Sequence, residues 1–318
     1  MRVAFAIGKP DAAMAAEKDM GQGGRYWTSS ILKDLDEACK QMGWERDLFL
    51  MGQPQTRHAR RPDAIVNLIA EPLVCGRALA LLYQTAQHHG LTVINSVAAT
   101  LRTARTALPA LTKGTGAYAP RTTLCRTDDL AAHILASRHR WPVLLRPPGT
   151  HGSLGLRKVD APGALPPASP DGTVISDFVD FKSTDGLYRK YRIISVGGAL
   201  FRRHLIVSDS WNISGASRAF MVGKAALIAE EKTFLTGKDF DAPIAALFAA
   251  AGLDFAVIDF AQDAGGRLVV FELNGSFQIS GSIPEEKRER WGYLEDNNAA
   301  IISALTALIA ARAGRSVN

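Results

Sequence analysis

Cysteine is scarce in this chain: Cys39, Cys75 and Cys125 stand alone among 318 residues, with no CxxC spacing. An odd, scattered set excludes a disulfide framework and a cysteine-built zinc site, and it points to a reducing, cytoplasmic setting. Long apolar runs are missing as well. The most apolar late stretch, residues 299–311, is too short to span a bilayer and reads as a buried helix. The N-terminal residues read as a short strand ending in Gly8, without the apolar core and cleavage site of a secretion signal. Nor is charge of one sign in large excess. The net charge of +6 is mild at this length, and the longest basic clusters, 57–61 and 287–290, carry no interleaved aromatic residues. They read as solvated faces, so neither nucleic acid nor membrane is expected as a partner, while a homodimer stays open. No Gly-Lys-Ser/Thr closes a Walker loop, and no GxGxxG opens a helix.

What is present suits a globular protein. An apolar fraction of 47% can fill the cores of two or three compact units at this length. The first third alternates short apolar runs (3–7, 64–69, 92–95) with amphipathic stretches (29–42, 77–88, 97–111). That alternation predicts a small parallel sheet with covering helices, and a Gly-rich segment at 21–24 leads into the first amphipathic stretch. The pattern breaks near 111–120. Beyond it, strands are expected at 141–147, toward Val159, and at 174–178, 188–196 and 200–207, with helices near 129–137, 224–235 and 242–251. Residues 161–171 are Pro-rich and read as an exposed loop.

Two features carry chemistry. The first is late: Val257-Ile258-Asp259-Phe260 and Val270-Phe271-Glu272-Leu273-Asn274 flank a polar, Gly-containing turn. Apolar runs joined this way read as a β-hairpin. Glu272 and Asn274 then share a face, and Asp259 can sit across from them. Such residues either end strands or offer oxygen ligands to a hard cation such as Mg²⁺. The second feature is the Gly-rich loop 149–155, entered from an apolar strand through Arg146. Its backbone N–H groups could close over phosphates, with the Arg146 fork on a phosphate oxygen; an ordinary hairpin loop is the alternative.

The order of these features resembles the ATP-grasp superfamily. A strand ending in a basic residue and Pro (143–147) precedes the Gly-rich loop. An apolar strand into an acidic segment (174–180), the run Tyr188-Arg189-Lys190-Tyr191-Arg192 and then Asp259 and Glu272-x-Asn274 follow. The resemblance covers about residues 95–280. That superfamily includes D-alanine–D-alanine ligase, glutathione synthetase and glutamate ligases. The chain looks closest to ATP-grasp domains sometimes fused to tetratricopeptide repeats. The resemblance implies an α/β chain of the ATP-grasp fold: an N-terminal parallel α/β domain (1–112) and two α+β subdomains clamping ATP, a lid (113–181) and a larger C-terminal one (182–318) with the metal site.

By the same resemblance, Arg105 and Arg146 stand where phosphate-binding lysines are usual. Gly149, Gly152 and Ser153 would cover the phosphates. Ser176, Asp177 and Phe178 would form the hinge reading adenine, and Asp180 would accept from the ribose hydroxyls. Arg192 would face the reacting phosphate, against the alternative of a cross-strand charge pair. Asp259, Glu272 and Asn274 would hold Mg²⁺. Residues 21–26, 211–218 and 275–282 would line the acceptor cleft. His151 and His204 lie near this chemistry, but ordinary hydrogen-bonded histidines are expected there. The implied reaction is ATP-dependent activation of a carboxylate as an acyl-phosphate for attack by an amine, on a small-molecule or peptide substrate. A kinase acting on a hydroxyl and a nucleotide-binding module without turnover are its rivals.

Overall fold

The computed structural model describes residues 1–8, 10–11, 31–51, 61–69, 71–169, 171–279, 291–295 and 297–314. The Gly-rich segment at 21–24 and most of the two basic clusters lie outside them.

Three sheets build the molecule. The first is parallel, with strands β1 (Arg2–Gly8), β2 (Glu45–Met51), β3 (Ala64–Asn67) and β4 (Val93–Ile94) in the order β2-β1-β3-β4. Helices α1 (Leu32–Gln41) and α2 (Gly76–His89) pack on it, as the alternating pattern predicts. Strand β2 is absent from the sequence reading. It is an edge strand, and its Glu-Arg-Asp-Leu-Phe-Leu-Met sequence leaves Leu48 exposed, so periodicity is weak there.

The helix expected over 97–111 is interrupted. It splits into α3 (Val97–Arg102) and α4 (Leu108–Leu111). The Thr103 hydroxyl donates to the Thr100 carbonyl at 2.8 Å, and the backbone turns there. Pro109 then sits in the first turn of α4, where its missing N–H costs no helical bond. Arg105 therefore lies in a turn, not on a helix face.

The second sheet holds β6 (Thr122–Cys125), β7 (Val143–Arg146), β8 (Arg157–Val159) and β9 (Thr173–Asp177), ordered β6-β9-β7-β8 and antiparallel. Helix α5 (Leu130–Ala136) covers one face, with Cys125, Ile134, Val143, Leu145 and Ile175 between. Period-2 alternation turns Leu144, Arg146 and Ser176 to the opposite face.

The third sheet is ordered β11-β10-β12-β13-β5, with β10 (Tyr188–Val196), β11 (Ala199–Ser208), β12 (Phe255–Gln262), β13 (Leu268–Asn274) and β5 (Ala117–Tyr118). The polar turn at 262–267 makes the expected hairpin of β12 and β13. Helices α6 (Ala225–Thr236) and α7 (Asp241–Ala251) bury one core against this sheet. Helix α8 (Asn298–Ala313) and the first sheet share another with Ile194, Phe255 and Val257. Asn95 links the two sheets: its side chain exchanges two hydrogen bonds with the Phe255 backbone, at 2.9 and 3.1 Å. All three cysteines are buried and free. No helix among the described residues is long and apolar enough to cross a membrane.

Candidate active site

A cavity of about 550 Å³ lies between the second and third sheets, floored by the third. That size suits a nucleotide-sized or smaller ligand. Strand register explains its polarity. His204 on β11 pairs with Arg192 on β10, Arg192 with Asp259 on β12, and Asp259 with Glu272 on β13. One ionisable side chain per strand thus forms a row across four adjacent strands, and all four line the cavity.

Every carboxylate in the row is already matched. Arg192 holds Asp259 in a two-pronged bridge, Nε to Oδ1 at 2.6 Å and Nη2 to Oδ2 at 2.8 Å. Lys190 approaches the same carboxylate at 3.6 Å. The cross-strand charge pair weighed for Arg192 is therefore present. Burial raises the Asp259 pKa, but Arg192 and Lys190 outweigh it and hold the acid below its usual range. Glu272 receives Arg105 Nη2 at 3.0 Å and His151 Nδ1 at 2.6 Å. Burial opposes its charge, yet Arg105, His151 and Arg146 keep it ionised, well below the usual glutamate pKa.

The Gly-rich loop carries His151 into this network. Its other ring nitrogen bridges to Glu71, which follows β3. Burial lowers the His151 pKa, but the bonds to Glu272 and Glu71 overcome this and raise it to about 10. The ring is an imidazolium strapping two carboxylates, so the expectation of an ordinary hydrogen-bonded histidine understated it. Glu71 escaped the sequence reading because nothing local marks it; 201 residues separate it from Glu272, the difference of their numbers. The loop folds tightly. Gly155 has φ of 66°, and a Cβ there would sit 2.8 Å from the Pro147 ring. Ser153 also has positive φ, at 66°.

Arg146 projects from β7 and donates to the hydroxyl and carbonyl of Thr150 inside that loop. Burial and then Arg105 lower its pKa to about 10, which leaves it charged at neutral pH. Arg105 also donates to the carbonyls of Phe271 at 3.2 Å and Thr150 at 3.3 Å. The turn between α3 and α4 is what aims it inward.

Most of the residues singled out in the sequence meet here. Arg105, Arg146, Gly149, Gly152, Ser153, Ser176, Asp177, Phe178, Arg192, Asp259, Glu272 and Asn274 all line the cavity. Asp180 does not: it is exposed, and its Oδ1 accepts from the Lys182 N–H at 3.1 Å. The hinge differs in detail from the expectation. The N–H groups of Asp177 and Phe178 donate to the carbonyls of Arg121 and Pro142. The Asp177 carboxylate lies on the α5 side of β9, bonded to buried His139 at 2.6 Å. Residues 211–215 and 276–278 line the cavity, while 21–26 and 280–282 fall outside the described residues.

Asp259, Glu272 and Asn274 bring oxygen donors onto two paired strands, the donor chemistry a hard cation such as Mg²⁺ takes, and the Asn274 Oδ1 also accepts from the Ser276 N–H at 2.8 Å. Arginine and imidazolium groups supply the positive charge those carboxylates demand in this arrangement. The Asn274 amide donates to Glu272 at 2.7 Å. Glu71, His151 and Glu272 also have potential ligand atoms within 4.8 Å of one another. His151, however, spends one nitrogen on each carboxylate, which makes a bridge and not a convergent metal site.

No family model matches the chain, and neither does any curated protein. Solved structures do. D-Cycloserine synthetase DcsG is similar at 15% identity and TM-score 0.56, over 97% of this chain and 100% of that one. D-Alanine–D-alanine ligase from Bacillus anthracis, complexed with ATP, is similar at 12% identity and TM-score 0.51, over 99% and 97%. ATP-grasp ligase PsnB, complexed with a precursor variant, Mg and ADP, is similar at 14% identity and TM-score 0.50, over 96% and 98%.

Proposed function

This chain has the ATP-grasp fold, and we propose that it is an ADP-forming ligase that activates a substrate carboxylate as an acyl-phosphate for attack by an amine. One observation carries the reading: cations from three separate segments, Arg105, Arg146 and Arg192, converge with Asp259 and Glu272 on one cavity. Such an array suits polyphosphate chemistry, where catalysis is mostly positioning and charge stabilisation. Mg²⁺, when bound by Asp259, Glu272 and Asn274, would offset charge on the phosphoryl oxygens. In this reading residues 113–181 form a lid, 182–318 the floor with the metal ligands, and 1–112 the domain that supplies Glu71.

Each side chain then has a task. Arg105 and Arg146 bind phosphate oxygens, and both are forks where point charges are more usual in this fold, which favours bidentate contact. Gly149, Gly152 and Ser153 place the loop over the phosphates and exclude water from the acyl-phosphate. Arg192 stabilises charge on the transferred group. The hinge at Ser176–Phe178 frames the base, and Asp180 reaches a ribose only by giving up its bond to Lys182. The amine is itself the nucleophile toward the acyl-phosphate, so no protein nucleophile is required.

The test is ADP release across a panel of carboxylates paired with amines. Release that needs both partners supports the ligase. Release with a hydroxyl acceptor and no amine consumed marks a kinase, and nucleotide binding without release marks a binding module.

Two variants probe single roles. Arg146→Ala should weaken ATP and ADP binding by about 1.5–3 kcal/mol, with a salt-sensitive loss, and Arg146→Lys should recover much of it. Unchanged affinity by calorimetry would place Arg146 outside the nucleotide site. Arg192→Ala should lower kcat and kcat/KM together, about a hundredfold, with ATP binding nearly kept. A variant with a reduced melting temperature but normal kcat would reduce Arg192 to the partner of Asp259.

A further inference from the structure

The row across the third sheet does not end at Arg192. Its outermost member is His204, and neither ring nitrogen has a hydrogen-bond partner among the described residues. The side chain is partly exposed, and it lines the cavity. A largely buried imidazole normally has its nitrogens bonded, and an open one in a cavity is placed to meet a ligand. The expectation of a hydrogen-bonded histidine fails here.

The surroundings specify the ligand's charge. Burial, then Arg192, Arg218, Arg203 and Lys190, keep the His204 pKa well below its usual value, so the ring is neutral and offers one N–H. Those cations are unequally satisfied. Arg218 is bound in two-pronged fashion by Glu231. Arg203 donates to the carbonyls of Leu294 and Ile279, and among the described residues no carboxylate is bonded to it, although Glu231 and Glu295 lie nearby. Lys190 Nζ donates to the Ile213 carbonyl at 2.9 Å and approaches Asp259 only to 3.6 Å, which leaves a third N–H for a ligand. Among the described residues these four cations outnumber the carboxylates beside them, Asp259, Glu231 and Glu295, so an anion is favoured there over an ammonium.

We propose that His204 and Lys190 form a recognition site for a second anionic group of the substrate, a carboxylate joined by a short chain to the one that is activated. This rests on the ligase reading, which places the reacting carboxylate beside Arg192. His204 stands on the strand next to Arg192, roughly 5 Å away, while Lys190 lies two residues along β10 on the same face, so a group held by His204 lies about one strand spacing farther out. With bonds of ~1.5 Å, about three intervening carbons span that distance. The substrate class is therefore a short dicarboxylic acid of the glutarate type, free or carried on a larger molecule.

Calorimetry on the full chain decides it, with glutarate and butyrate as probes and ATP titrated in parallel. Glutarate should bind at least about tenfold tighter than butyrate, the yield of one charge-assisted hydrogen bond. His204→Leu and Lys190→Gln should each erase that preference while ATP affinity holds, and His204→Gln, which keeps a donor, should restore part of it. Equal binding of the two acids overturns the proposal. So does a His204→Leu or Lys190→Gln variant that weakens ATP instead of glutarate, which would assign these side chains to the nucleotide. Should His204→Leu fail to fold, Lys190→Gln and His204→Gln carry the same comparison. Glutarate preference without ADP release in any amine pairing would leave this site standing and remove the ligase reading. ADP release driven equally well by butyrate would do the reverse.

Discussion

Glu272→Gln is expected to cost about 3–4 kcal/mol of transition-state stabilisation, roughly two to three orders of magnitude in kcat/KM, while the chain still folds. The carboxylate is the junction of the site. It receives Arg105 from the turn after α3, His151 from the Gly-rich loop and the Asn274 amide from its own strand. Glutamine keeps the shape but removes the charge that gathers those groups, and it is a poorer oxygen donor to Mg²⁺. The lost interaction faces a cavity, not the apolar core, so far-ultraviolet circular dichroism should be unchanged. ADP release within threefold of the parent in this variant would remove Glu272 from the site and with it the metal assignment.

Glu231→Ala is expected to destabilise the fold by about 3–5 kcal/mol. Glu231 on α6 is fully buried, at 0% exposure. It binds Arg218 through both oxygens at 2.7 and 2.9 Å, accepts from the Leu205 N–H at 3.0 Å and from the Tyr293 hydroxyl at 2.5 Å. Alanine leaves a mostly buried guanidinium, a backbone donor and a phenol without their acceptor at once. Thermal denaturation should show a fall on the order of 10 °C. Glu231→Gln should cost less, because it retains an oxygen for Leu205. A melting temperature within about 2 °C of the parent for the alanine variant would show that the cluster relaxes or hydrates at little cost.

The site's legibility in the sequence follows the range of the forces involved. Asp259, Glu272 and Asn274 could be placed together from sequence because a hairpin is local and its side chains alternate with period 2. Arg146 could be read for the same reason, as the polar end of an apolar strand. Arg105 was legible in identity but not in setting: the uninterrupted amphipathic pattern hid the turn at Thr103 that aims it inward. Asp177 reads as part of a hinge, yet strand alternation sends its carboxylate to the α5 face with Ile175. His139, its partner, carries no signal of its own.

By itself, the sequence determined most of the strand and helix alternation, the β12–β13 hairpin with Asp259, Glu272 and Asn274 on it, and the Gly-rich loop. These rest on periodicity and on residues within a few positions of one another. Tertiary structure alone decided the row His204–Arg192–Asp259–Glu272, because the register of four strands is set by packing against α6, α7 and the first sheet. It also decided that Glu71 meets His151, and that His204 stands open among cations. Charge complementarity acts through space over a few ångströms, whereas sequence spacing is silent on which distant side chains a fold will bring that close.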